Sequence, residues 1–241
     1  MVSTLHTYSY VVHRPRSLLV SATLGLVCLL VSACQNRIPE IPQLSGYPVH
    51  TDIMATIFWT GEAAGPDNGY IANDASAWDS HWSKHYGGTD SPEARKRQRN
   101  GQWPAAFQPK ENPFYVALPY SEFTNDGQVK PNATRVYWYD SAAPPTSHRS
   151  ILKNRWVAIT YRDKTVYVQW QDVGPVESDD VDYVFGDQLP KAEISGIDMS
   201  PAAGFYLQFS GRARVSWHFV DDDQVPPGPW LDIVTTRQVS H

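Results

Sequence analysis

Residues 155–175 read RWVAITYRDKTVYVQWQDVGP and residues 196–220 read GIDMSPAAGFYLQFSGRARVSWHFV, and the order of pieces in these two stretches decides the fold. Arg155–Tyr161 and Thr165–Trp170 are rich in β-branched and aromatic residues, so they predict a hairpin turned by the polar triplet Arg162-Asp163-Lys164. Asp172-Val173-Gly174-Pro175 is a turn signal set directly at the end of the second strand. In the second stretch Ser200 suits a helix N-cap and Pro201 the first helical position, so a short helix runs over Ala202–Leu207 and stops near Ser210-Gly211. The last piece alternates Val215, Trp217 and Phe219 against Arg214, Ser216 and His218, the period-2 pattern of a strand with one face in a core.

Working outward, Met54–Trp59 predicts a first strand, ended by the Gly/Pro/Asn/Asp-rich run Gly61–Gly69. Phe114–Leu118 and Arg135–Tyr139 predict two more. Between Ala72 and Tyr86, Trp78 and Trp82 lie four apart, as do His81 and His85; Asp74 is a candidate N-cap and Gly87-Gly88 a stop, so this is read as a helix. Two His one turn apart suit a metal, but no third ligand is evident, and a solvated helical face explains them as well. No metal and no cofactor is expected. Arg95-Lys96-Arg97-Gln98-Arg99 reads as a surface turn or helix end rather than a site for acidic ligands.

The N-terminal 33 residues hold Arg14 and Arg16, no acid, and an apolar run from Leu18 to Val31 broken only by Ser21, Thr23 and Gly25. That layout is a secretory signal, and its apolar run is shorter than the ~20 residues that span a bilayer. Residues 35–50, with Pro39, Pro42 and Pro48, read as an extended linker, 51–221 as the folded domain and 222–241 as a Pro-rich tail that pins Trp230. Only Cys28 and Cys34 occur, so the domain has no disulfide and depends on its core. The chain has 20 Lys and Arg against 25 Asp and Glu; losing residues 1–33 leaves 18 against 25, a net charge of −7. Such a surface is a poor partner for nucleic acid or anionic lipid. Nine Trp and thirteen Tyr suit strands and cores, and also stacking on sugar rings.

Two resemblances follow. Val31-Ser32-Ala33-Cys34 resembles the lipobox of bacterial lipoproteins, which implies cleavage before Cys34, acylation of Cys34 with fatty acid such as palmitate, and an envelope location. A chance cysteine after an ordinary signal is the alternative. Gln35, with no Asp there, implies the outer membrane, facing the periplasm or the cell surface. The ordered set Asp172-Val173-Gly174-Pro175, Ile197-Asp198-Met199-Ser200, Gly211 and Val215-Ser216-Trp217 resembles rare lipoprotein A and the bacterial expansins. Ala55–Gly61 looks like that family's first strand and Ala117-Leu118-Pro119-Tyr120 like its Leu-Pro corner. The resemblance implies an all-β, six-stranded double-psi β-barrel with short helices and long loops. It also implies a groove for peptidoglycan or another cell-wall polysaccharide, with Asp198 as central acid and Asp172 as its neighbour. Thr60, Trp59, Tyr115 and Tyr120 are the expected substrate-binding residues.

Glycosidic cleavage needs an acid at the leaving oxygen and a base, nucleophile or substrate group opposite it. The sequence leaves cleavage open. Tyr115 stands where transglycosylase-type relatives carry a His, and a tyrosine carries protons poorly near neutral pH. The base Asp of related endoglucanases is absent, with Glu62 the nearest substitute, and Gly174 stands where expansins have a groove tyrosine. If the glycan is cleaved, the reaction is lytic-transglycosylase-like or hydrolase-like with Asp198 as acid. Two plainer readings stand beside this one: Asp198 as a helix N-terminal residue and Asp172 as an Asx-type turn. The matching alternative function is a non-catalytic scaffold binding another protein. The acidic loop 176–195 is read as a roof over the groove or as a solvated loop.

Overall fold

The structure is a computed structural model that describes residues 46–240. The expected export segment over residues 1–33, Cys34 and most of the linker expected over 35–50 lie outside the described residues. Among the described residues the strands are β1 His50–Ile57, β2 Arg97–Gln98, β3 Trp103–Pro104, β4 Tyr115–Leu118, β5 Trp156–Tyr161, β6 Lys164–Val173, β7 Ile197–Met199 and β8 Ala213–Val220. Three short helices, α1 Trp82–Tyr86, α2 Val181–Val184 and α3 Pro201–Leu207, lie between them. Six strands close a barrel in the order β1-β7-β4-β6-β5-β8, while β2 and β3 form a separate small hairpin. The barrel is mixed: β1–β7 and β4–β6 are parallel and the other neighbours antiparallel. Closure leaves no free sheet edge among the barrel strands.

The β5–β6 hairpin forms as its sequence predicts, except that Lys164 belongs to the strand and pairs with Tyr161, so the turn has two residues. Ser200 caps α3, its side chain accepting from Ala203 N, and Pro201 opens the helix. Within the barrel Val116, Leu118, Val157, Ile159, Val166, Val168, Ile197, Met199 and Trp217 are buried, one face of each strand.

Several expectations are corrected. Arg135–Tyr139 is not a strand: a 3-10 helix runs over Pro131–Arg135, started by the fixed φ of Pro131. Its aromatics instead pack on the core; Trp138 lies edge-on to Phe219 at 4.9 Å and donates from Nε1 to Ile151 O at 2.6 Å. The helix expected over Ala72–Tyr86 is confined to Trp82–Tyr86, because Asp74 does not cap it; Asp74 O accepts from Ser83 N across the turn at 3.0 Å. Gly87, at φ 115, ends it with N–H to Ser83 O. His218, expected to face out, is 4% exposed, since it pairs with Ala158 where β5 is buried on both faces.

The loop 176–195 contributes to the core rather than being simply solvated. Tyr183 accepts a hydrogen bond from Trp217 Nε1 at 2.7 Å, and Phe185 stacks on Phe219 at 5.4 Å. The basic run is not merely surface either. Arg97 is paired with Asp90 at 2.7 Å, and neither side chain is exposed.

Candidate functional site

Strand register brings the two aspartates together. Asp198 on β7 pairs with Thr56 on β1 and with Ala117 on β4, and Ala117 pairs on its other side with Asp172 on β6. Side chains of registered partners share a face. Thr56, Asp198, Ala117 and Asp172 therefore form a row across four neighbouring strands. That face is the outer one, since Val116, Leu118, Ile197 and Met199 point into the core.

Asp198 is half-buried. Its Oδ1 accepts from Thr56 Oγ1, and Ser195 Oγ lies 3.1 Å from the same oxygen. Burial pushes its carboxyl up, while the Thr56 and Ser195 hydroxyls hold it down. Asp172 Oδ1 accepts from the backbone N–H groups of Ala77 and Val173, each at 2.8 Å. Burial is the main reason its carboxyl is pushed up to about 7; the two amides oppose the rise, and the charge of Asp198 adds to it. Glu62 is also pushed up, first by burial and further by the charge of Asp198. Its Oε2 accepts from Asn73 Nδ2 at 2.9 Å. An acid with a raised pKa beside other carboxylates can deliver a proton near neutral pH.

The expected binding residues divide. Trp59 is half-buried. Thr60 is fully buried, its N–H donating to the Tyr115 hydroxyl at 3.1 Å. Tyr115 is fully buried among Phe58, Trp82 and Tyr86, and its hydroxyl donates to Asp90 at 2.9 Å. Tyr120 is fully buried as well, against Phe185, with its hydroxyl on Asn132. Thr60, Tyr115 and Tyr120 therefore give a ligand no face to stack on, because α1 and the loops cover them.

His81, the N-cap of α1, is exposed as a solvated face requires, whereas His85 is half-buried and paired. His85 Nδ1 lies 2.8 Å from Oδ2 of the fully buried Asp79, and the two imidazole rings are 6.0 Å apart. Among the described residues no three His, Cys, Asp or Glu gather to hold a metal. Sequence reading missed Thr56 and Ser195 as partners of Asp198. Thr56 is four residues before Thr60 and Ser195 three before Asp198, a signal visible only once β1 and β7 are paired.

The fold and site define a closed six-stranded mixed β-barrel bearing a row of carboxylates on its outer face. Among solved structures the chain has a distant match to the Streptomyces papain inhibitor, 14% identical over 72% of this chain and 96% of that one, with a TM-score of 0.30. No protein-family model matches the chain, and no curated protein matches it in sequence.

Proposed function

We propose that this is a lipid-anchored envelope protein whose barrel, of the double-psi type, binds a cell-wall glycan, peptidoglycan first, across the row of Thr56, Asp198, Ala117 and Asp172. The observation that carries this reading is that row, with its two neighbouring carboxyls both raised. Their oxygens suit sugar hydroxyls, and Trp59 supplies the aromatic surface that Tyr115 and Tyr120 do not. The raised carboxyls of Asp198 and Asp172 also favour cleavage with one of them as the acid and Glu62 as the nearest further carboxylate. Cys34 carries the lipid, and the outer membrane is the proposed location.

A second reading, a scaffold that binds another protein, is favoured by Asp172 being held by two backbone amides and by the burial of Thr60, Tyr115 and Tyr120. Purified peptidoglycan separates the two. Wild type should co-sediment with it and Asp198→Asn should bind at least tenfold more weakly. Released muropeptides from wild type alone would add cleavage. Equal sedimentation of both proteins with no released fragments rejects the glycan site.

A further inference from the structure

His81 and His85 bracket the first turn of α1, and His85 N donates to His81 O at 2.9 Å. Side chains four apart on a helix lie on one face, the later one leaning back over the earlier. The two imidazole rings accordingly lie together at the surface, with their centres 6.0 Å apart.

The two nitrogens of each ring have different surroundings. His85 Nδ1 lies 2.9 and 2.8 Å from the two oxygens of Asp79, whose side chain is fully buried. In the neutral ring that carboxylate fixes the tautomer: Nδ1 carries the proton and Nε2 keeps its lone pair. The exposed 24% of the His85 side chain lies on the side away from Asp79, where Nε2 is. His81 Nδ1 lies 2.9 Å from Ser80 Oγ, which leaves its Nε2 to solvent. Asp79 Oδ1 also accepts from His81 N at 3.0 Å, so one buried carboxylate holds the backbone of one histidine and the ring of the other. Arg237 Nε is 3.9 Å from Asp79 Oδ2, beyond hydrogen-bond reach, and does not displace His85.

A carboxylate on the far nitrogen is the arrangement that orients a metal-ligating imidazole and raises its basicity. A metal at about 2.0–2.1 Å from one nitrogen of each ring joins rings whose centres lie within roughly 6 Å, so a small rotation of exposed His81 closes the pair.

The geometry points to a surface site for a divalent transition metal, Cu(II) foremost, held by Nε2 of His81 and Nε2 of His85, with Asp79 orienting His85. Water fills the remaining positions, so the site is weaker than a closed four-ligand one. Imidazole nitrogens select such metals over Mg(II) and Ca(II), which take oxygen ligands, and copper binds nitrogen sites most tightly of the divalent first-row metals.

The test is a titration of the full chain with CuCl₂, followed by calorimetry and by ¹H–¹⁵N NMR, with MgCl₂ as control. The first fractions of an equivalent of Cu(II) should broaden the amide signals of residues 79–86 before any others, through the unpaired electron of the metal. Mg(II) should leave them unchanged. His81→Gln and His85→Gln should each weaken this first Cu(II) at least tenfold, and His148→Gln, at an exposed histidine elsewhere, should leave it unaltered. Asp79→Asn should weaken it about tenfold or more, the usual effect of losing such a partner. If that buried substitution does not fold, exposed His81→Gln decides alone. Unchanged affinity in His81→Gln, first broadening centred on other residues, or an equal response to Mg(II) overturns the site. None of these readouts involves Asp172, Asp198 or peptidoglycan, so the glycan reading stands or falls separately.

Discussion

Asp172 and Asp198 sit on either side of Ala117, and their neighbourhood sets how each holds its proton. A carboxyl whose folded pKa is raised keeps its proton in the fold after the unfolded chain has lost it. For Asp172 the unfolded value is 3.8 and the folded value about 7, so its contribution to stability falls as pH climbs through that window. Asp172→Asn keeps an acceptor for the Ala77 and Val173 amides and removes the charge. At pH 8 the variant should be more stable than wild type, by roughly 2 kcal/mol once solvent screening of a part-exposed group is allowed for, and the gain should vanish by pH 4. Urea unfolding at the two pH values measures it, and a variant less stable at pH 8 rejects the raised carboxyl. His50 behaves oppositely. It is 7% exposed and stacks on Trp217 at 4.1 Å; burial, with the charge of His218 behind it, lowers its imidazole from 6.5 to about 4. Its contribution is therefore present above pH 6.5 and is lost as pH falls toward 4. His50→Phe should remove on the order of 3 kcal/mol of that acid loss, read as a shallower fall in urea midpoint between pH 7 and 4.

At the scale of elements, legibility followed how local the determinants are. The β5–β6 hairpin and α3 were readable because their signals are adjacent in sequence: a polar turn between two β-rich runs, and Ser200-Pro201 at a helix start. The Asp172–Asp198 pair was readable only as an ordered motif; its geometry depends on Ala117 of β4 lying between the two. Arg135–Tyr139 misled because aromatic β-formers also serve as core plugs, and nothing local distinguishes the two uses. The local sequence places Tyr115 and Tyr120 in a groove because their burial, by α1 and by the loop 176–195, is non-local. Arg97 lay hidden in a basic run. Its buried pair with Asp90, which also accepts from Tyr115, ties the β2–β3 hairpin to β4. Arg97→Met strands the Asp90 carboxylate in the interior and should cost about 3–5 kcal/mol. Adding Asp90→Asn should return much of that loss, since a neutral amide is far cheaper to bury. Thermal melts of the single and double variants check this; equal melting temperatures would show that the pair is not what holds the hairpin.

At the scale of the molecule, the chain after β8 completes the fold. Trp230 is 4% exposed, edge-on to Phe114 at 6.1 Å and to Tyr206 at 5.4 Å. Thr235 N donates to Gln169 Oε1 at 2.8 Å, and its Oγ1 accepts from Asn112 N at 2.8 Å. Ser240 N donates to Trp78 O and its carbonyl accepts from Ser80 N, each at 2.9 Å, so the tail reaches the segment that carries Asp79 and α1. That segment also supplies the Ala77 amide on Asp172, so the tail supports the candidate site from a distance. Losing a buried Trp costs about 3–5 kcal/mol, and each buried polar group left unpaired, here Gln169 and Asn112, adds about 1–3 kcal/mol. Against the 5–15 kcal/mol typical of a whole domain, a chain stopped before Pro229 should lose its cooperative thermal transition. Trp230→Ala should remain folded with a melting temperature lower by several degrees, because it keeps the Thr235 and Ser240 contacts. Circular dichroism melts of both proteins measure this difference. A truncated chain that melts within two or three degrees of wild type would mean that the barrel stands without its tail, and that the Ala77 segment is held by the sheet alone.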